Sequence, residues 1–173
     1  HAPFLDINIA ATDSAIIDIT YKRISKTIDL AAILGASGIV IHPGYDPFRF
    51  KGFENNWIHL AKRNLGAILK KAEEKRIPLA VENIFEESCE NLKELIVHFS
   101  SPYLGHCFDT GHFNIFAKIS LAEWLKEMNK YTFAIHVHDN LGYMDQHLPV
   151  CEGSFPFNFF VKNIPRNLKW FTF

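Results

Sequence analysis

With 173 residues, 48% of them hydrophobic, the chain carries enough apolar material for one soluble domain spanning 1–173. It holds no apolar run of transmembrane length and opens on no secretory leader pattern, so no membrane partner is expected. A formal net charge of −1 provides no broad basic face for a nucleic acid and leaves only a local basic groove open.

A first helix is predicted over Ser14–Leu34. Thr12 or Asp13 can cap it, Ile17, Tyr21, Ile24, Ile28 and Ala31 recur on one face, and Gly35 stops it. The apolar run 38–41 follows as a strand covered on both faces, ended by His42-Pro43-Gly44. An aromatic loop, 45–53, carries Arg49 and Lys51. Trp57, Leu60, Ala61, Leu65, Ile68, Leu69 and Ala72 then trace a helix ending near Arg76.

The next strand is 78–81, followed by a Glu-rich loop and a short helix over 91–99. The strand 104–108 runs into Asp109-Thr110-Gly111-His112. Ser120-Leu121-Ala122-Glu123 is a capping box that opens a helix through Met128. A strand over 132–137, a helix over 156–163 and a strand over 168–173 complete the chain. Strand and helix alternate throughout, which predicts α/β with a parallel sheet. The chain begins inside the loop-like His1-Ala2-Pro3-Phe4 and closes within a strand, so further sequence is expected on both sides.

Four of these strands end in a side chain that binds metals: His42, Glu82, Asp109 and His136. Glu82 lies 40 residues after His42, and Asp109 and His136 follow at intervals of 27. A strand, a helix and two connections take roughly 30 residues, so successive strands deliver the four from one end of the sheet. Carboxylate with imidazole suits a divalent ion such as zinc or manganese. No Gly-rich phosphate fingerprint follows any strand, which argues against a dinucleotide fold.

Each residue also has a plainer reading. Glu82 alone could be a loop carboxylate, and Asp109 a cap with His112 exposed beside it. In the active reading, Gly111 makes a tight turn that brings Asp109 and His112 to one cavity. His136 and His138 share a strand face by period-2 alternation, so one can bind metal while the other, or Asp139, orients it. Asp145-Gln146-His147 and Glu152-Gly153 could hold a second ion, bind a sugar hydroxyl, or be solvated. His1 and His42 are the weakest taken singly. Arg49, Lys51 and Lys118 could hold a phosphate or simply be solvated. Cys89, Cys107 and Cys151 show no CxxC spacing and read as idle thiols in a reducing cytoplasm.

Taken in order, His1-Ala2-Pro3-Phe4, Ile41-His42-Pro43-Gly44, Val81-Glu82-Asn83, Phe108-Asp109-Thr110-Gly111-His112, His136-Val137-His138-Asp139 and Asp145-Gln146-His147 with Glu152-Gly153 resemble one family. It is the xylose isomerase-like TIM-barrel superfamily, which joins sugar and sugar-phosphate isomerases and epimerases with abasic-site endonucleases of the endonuclease IV type. The resemblance implies a (β/α)8 TIM barrel, here partial, lacking its first strands before His1 and the end of its last. It also implies a glutamate ligand just after Phe173.

In the isomerase branch the resemblance maps the metal set onto Glu82, Asp109 and His136. The ion would be manganese, zinc, cobalt or magnesium, with one per chain favoured. Glu82 would move a proton on a sugar or sugar phosphate through a metal-stabilised enediolate, and His112 would bind or polarise the substrate oxygen. In the endonuclease branch His1, His42, His112, Asp145 and His147 join a cluster of up to three zinc ions that cleaves abasic DNA. Two departures favour the sugar branch: Ile84-Phe85-Glu86-Glu87 follows Asn83 where the endonucleases have small residues, and Tyr45-Asp46 follows Gly44 in place of Ser-His. A third possibility is a noncatalytic sugar-binding barrel. The aromatic loop 45–53 would either close the site or meet a partner subunit of a homo-oligomer.

Overall fold

The structure, a computed structural model, describes residues 1–165 and 168–172. Its elements follow the sequence closely. Helix α1 (Ser14–Leu34) is capped by Asp13, whose carboxylate accepts the N–H groups of Ala15 and Ile16, and Gly35 ends it at φ 65°. Strand β1 (Ile39–Ile41) comes next. The segment 45–53 is not wholly loop, because Asp46 caps a short helix, α2 (Pro47–Phe50). Its Pro at the first helical position is preset for that turn. Helix α3 (Glu54–Lys75) buries Trp57, Ala61, Leu65, Ile68, Leu69 and Ala72.

Strand β2 (Leu79–Glu82), helix α4 (Glu90–Phe99) and strand β3 (Leu104–Asp109) follow. Helix α5 (Thr110–Phe116) starts directly on Asp109. Helix α6 (Leu121–Met128), capped by Ser120, and a 3-10 turn (Asn129–Tyr131) lead into β4 (Thr132–His136). Helix α7 (Phe157–Asn163) precedes β5 (Trp170–Thr172). Phe173, the expected end of that last strand, lies outside the described residues.

The five described strands pair in parallel in sequence order, β1-β2-β3-β4-β5. They form a curled half-barrel, part of the expected TIM barrel. The curl has a direct marker: the indole of Trp170, on β5, occupies the space where a side chain on Gly38, just before β1, would stand. Only a sheet bent into an arc brings its two edges that close.

Alternation along each strand sorts the side chains into two sets. Ile39, Ile41, Leu79, Val81, Leu104, Phe108 and Ile135 face outward and pack with α1, α3, α4 and α6 in the main core. Val40, Ala80, Cys107 and Ala134 face inward, with Phe133 and Trp170 against them. The register slips between β3 and β4, where His106 pairs with Thr132 but Cys107 pairs with Ala134. This bulge leaves Phe133 without a partner on β3 and puts His136 in phase with the inner row. Among the described residues, no helix is long and apolar enough to cross a membrane.

Candidate metal centre

Two residues beyond each inner-facing position, the chain reaches the carboxyl end of its strand. Val40 leads to His42, Ala80 to Glu82, Cys107 to Asp109, Ala134 to His136 and Trp170 to Thr172. All five terminal residues line a cavity of about 650 Å³, together with His1, Phe4, His112, His138, Asp145 and His147. The row of candidate ligands is thus the inner face of the barrel continued to its rim.

Glu82 is the hub. It is 2% exposed, and four imidazoles face its two oxygens. His1 Nε2 lies 3.1 Å and His42 Nε2 3.5 Å from Oε2, while His136 Nδ1 lies 3.0 Å and His112 Nδ1 3.5 Å from Oε1. Burial alone would raise the Glu82 carboxyl, but hydrogen bonds from His1, His112 and His136 overcome it and hold the group well below the usual carboxylate range. Burial would raise Asp109 too, yet His136 and His138 hold it below its ordinary value. His136 Nδ1 also approaches Asp109 Oδ2 at 3.5 Å, so it bridges both carboxylates.

The same contacts act on the imidazoles. Burial pulls His112 down, yet Glu82 and Asp109 carry it up to about 9. Burial opposes the charging of His136 as well, and Asp109, Cys107 and Glu82 together raise it. His42 goes the other way, to about 4, because burial and the neighbouring His1, His112 and His136 outweigh the attraction of Glu82.

Gly111 departs from the sequence expectation. It lies within the first turn of α5 and not in a tight turn, and what it supplies is room: the His138 ring fills the space its side chain would take. Asp109 still meets His112, by capping α5 and accepting the His112 N–H at 2.8 Å. His138 sits past the end of β4, held by Thr110, whose hydroxyl accepts its N–H and donates to its carbonyl. It turns inward as His136 does, with Nε2 3.0 Å from Asp109 Oδ1. Its Nδ1 is buried without a hydrogen-bond partner among the described residues.

Asp145 and His147 reach the mouth of the cavity. His147 stacks on His138 with centroids 3.9 Å apart and planes 3° from parallel, and its Nε2 meets Asp145 Oδ2 at 3.1 Å. Glu152 is not brought into the site; it is exposed and does not line the cavity. Lys51 and Lys118 both pair with Glu87, and Arg49 lies over the Phe50 ring, so none of the three reaches the cavity.

Sequence reasoning missed Asn83 and Phe4 as parts of the site. Asn83 clasps the backbone of Asp109, and its own carbonyl accepts from His112 Nδ1 at 3.0 Å. Phe4 stacks on His42 at 4.3 Å. A polar residue directly after a strand-end carboxylate was the available signal for Asn83; Phe4 had none beyond its place in the first motif.

The donor chemistry fits a divalent cation. Among the described residues, three groups of side chains each offer ligand atoms within 4.8 Å of one another: His1, His42 and Glu82; Glu82, Asp109 and His112; and His138, Asp145 and His147. Mixed imidazole and carboxylate donors with an orphaned imidazole nitrogen are what zinc, cobalt or manganese would satisfy.

Comparison with known proteins gives a consistent picture. A family model described as a xylose isomerase-like TIM barrel matches residues 1–170. An uncharacterized protein of Methanocaldococcus jannaschii is 30% identical over 164 residues, covering 91% of this chain and 56% of that one. The chain spans about half to two thirds of the length of the curated relatives it matches. A crystal structure of a D-tagatose 3-epimerase-like protein superposes with TM-score 0.84 at 29% identity, covering 94% of this chain and 64% of that one. A Thermus thermophilus protein, soaked with ZnCl2, superposes with TM-score 0.85 at 24% identity, covering 99% and 68%, a likeness of fold.

Proposed function

This chain belongs to the xylose isomerase-like TIM-barrel family, and from that premise we propose that its site moves a proton between carbon centres of a sugar, as a divalent-metal-dependent isomerase or epimerase. The observation that carries this is Glu82, a buried carboxylate kept ionised at the floor of a sugar-sized cavity. The likeness to a D-tagatose 3-epimerase-like protein supports the same chemistry.

Glu82, Asp109 and His136 would hold the ion, which when bound supplies Lewis-acid polarisation of substrate oxygens. The remaining work falls to the chain. Glu82 takes the proton from the carbon beside the substrate carbonyl, leaving an enediolate, and returns it to the neighbouring carbon in an isomerisation. Epimerisation requires an acid on the opposite face. His112, fixed through Nδ1 to the Asn83 carbonyl, turns Nε2 toward Asp145 at 3.6 Å and so presents it for a substrate oxygen. Phe4 and Trp170 add apolar surface to the cavity lining. Among the described residues, no lysine or arginine lines the cavity, which favours an unphosphorylated sugar.

A second reading, zinc-dependent cleavage at abasic DNA sites, draws on one observation: donors for more than one ion meet in the cavity. The lack of lysine and arginine among its described lining residues weighs against a phosphodiester. The experiment is to load the protein with manganese, cobalt or zinc and incubate it with ketoses and aldoses in heavy water. Deuterium entering at the carbon beside the carbonyl is expected. Cleavage of abasic duplex with no exchange in any sugar would replace this reading with the endonuclease, and sugar binding without exchange would leave a noncatalytic module.

A further inference from the structure

We propose that Asp139 is a positioning residue whose buried carboxylate sets the conformation of residues 140–155, and through it the placement of Asp145 and His147 at the mouth of the site. Asp139 is fully buried, at 0% exposure. The hydrogen bonds its side chain accepts all come from backbone N–H groups. Oδ1 takes those of Asn140 at 2.8 Å and Phe155 at 3.1 Å, and Oδ2 takes those of Gly153 at 2.9 Å and Cys151 at 3.1 Å. One carboxylate therefore gathers both ends of a long loop.

The main chain closes the same base. Asp139 and Leu148 exchange backbone hydrogen bonds at 2.9 and 2.8 Å, and the Ser154 N–H donates to the Asn140 carbonyl at 2.8 Å. Asn140 Nδ2 ties this base to the Gly111 carbonyl at 2.9 Å. Within the loop, His147 and Cys151 stand at φ 52° and 71°. Non-glycine residues occupy this left-handed region only when their surroundings hold them there. Gly153 supports the assignment independently. The space for a side chain on it is filled by Asp139 Oδ1 and the Asn140 carbonyl, so the loop passes over the carboxylate at a distance only glycine permits.

What the loop delivers is specific. Asp145 faces His112 Nε2 at 3.6 Å and His138 Nδ1 at 3.7 Å, while His147 lies flat on His138. The inference deepens the proposed site but does not need its chemistry to be right, because the test reads the loop and not turnover.

Asp139→Asn keeps the shape but offers an NH2 group to N–H donors that need an acceptor. Amide exchange by NMR is expected to accelerate at least about 100-fold at Cys151, Gly153 and Phe155, with amides of the strands unchanged. The ring protons of His147 should lose the ring-current shift of stacking on His138. Gly153→Ala, which leaves the carboxylate intact, should give the same local signature and stands in if the first variant does not fold. A His147 ring signal and amide protection unchanged in the folded variants would overturn the proposal. So would protection lost equally across the sheet, which would make Asp139 a general structural residue.

Discussion

Asn83 and Asp109 are joined by two hydrogen bonds, from Asn83 Nδ2 to the Asp109 carbonyl at 3.0 Å and from the Asp109 N–H to Asn83 Oδ1 at 2.8 Å. A side-chain amide thus continues the β2–β3 ladder one step past its last backbone pair, at the level where Glu82 and Asp109 must be held together. Asn83→Ala leaves two buried backbone groups unpaired and should lower stability by about 1–3 kcal/mol. It should also weaken zinc or manganese binding by about 10- to 100-fold, as removal of a ligand's supporting contacts generally does. Denaturant melts and calorimetric metal titration check both.

Glu82→Gln removes the proposed base while keeping its volume. Deuterium exchange into the substrate should fall by at least about 100-fold, with far-ultraviolet circular dichroism unchanged. An unaltered rate would remove Glu82 from the chemistry.

Gly111→Ala opposes two effects. Alanine in the first turn of α5 would gain up to about 1 kcal/mol of helix propensity. The added methyl, however, must displace the His138 ring from Asp109. Overpacking of this kind costs about 1–3 kcal/mol, so net destabilisation with weaker metal binding is expected. A stabilised variant with normal metal affinity would show that His138 moves freely.

Glu86 supplies a pH dependence outside the proposed metal ligands. It is 6% exposed, with Oε2 accepting the Ile84 N–H and Oε1 without a partner among the described residues. Burial pushes it from 4.5 up to about 7 despite that backbone contact. A carboxyl raised in the folded state contributes stability below its unfolded value that is lost as pH rises through its folded one. Between pH 4.5 and about 7 the loss should be on the order of 3 kcal/mol. Glu86→Gln should flatten the melting temperature across this window, and an unchanged slope would assign it to other groups.

Loading the centre should release protons. His136, raised by Asp109, Cys107 and Glu82 against its burial, is charged at pH 7 without a cation. A ligating imidazole must be neutral. Zinc titrations in buffers of differing ionisation enthalpy should therefore show about one proton released per ion as His136 gives up its charge, and affinity should climb as pH rises. Buffer-independent heats would contradict this. An ion at about 100 times its dissociation constant should also add about 2.7 kcal/mol of stability, visible as a higher melting temperature.

The strands and helices are legible in the sequence because apolar alternation and caps are local signals. Ser14–Leu34 and its Asp13 cap need nothing from the rest of the chain. The convergence of His42, Glu82, Asp109 and His136 is legible too, since βαβ spacing places strand ends at one rim. Gly111 is not, because a glycine between Asp109 and His112 looks like a turn, and only the distant His138 ring reveals that space was the need. Asp139 reads in sequence as a partner for the histidines, whereas its long-range contacts lie 12 to 16 residues ahead in an irregular loop. Glu152 lies exposed and away from the cavity, because motif adjacency says nothing about which way a loop residue faces.

Trp170 and Gly38 belong to opposite edges of the described sheet, yet the indole fills the glycine's side-chain space. The width of one aromatic ring therefore gauges how tightly the arc is drawn. A methyl group at position 38 would act on Glu82 and His136 from a distance, by opening the curve on whose rim they stand.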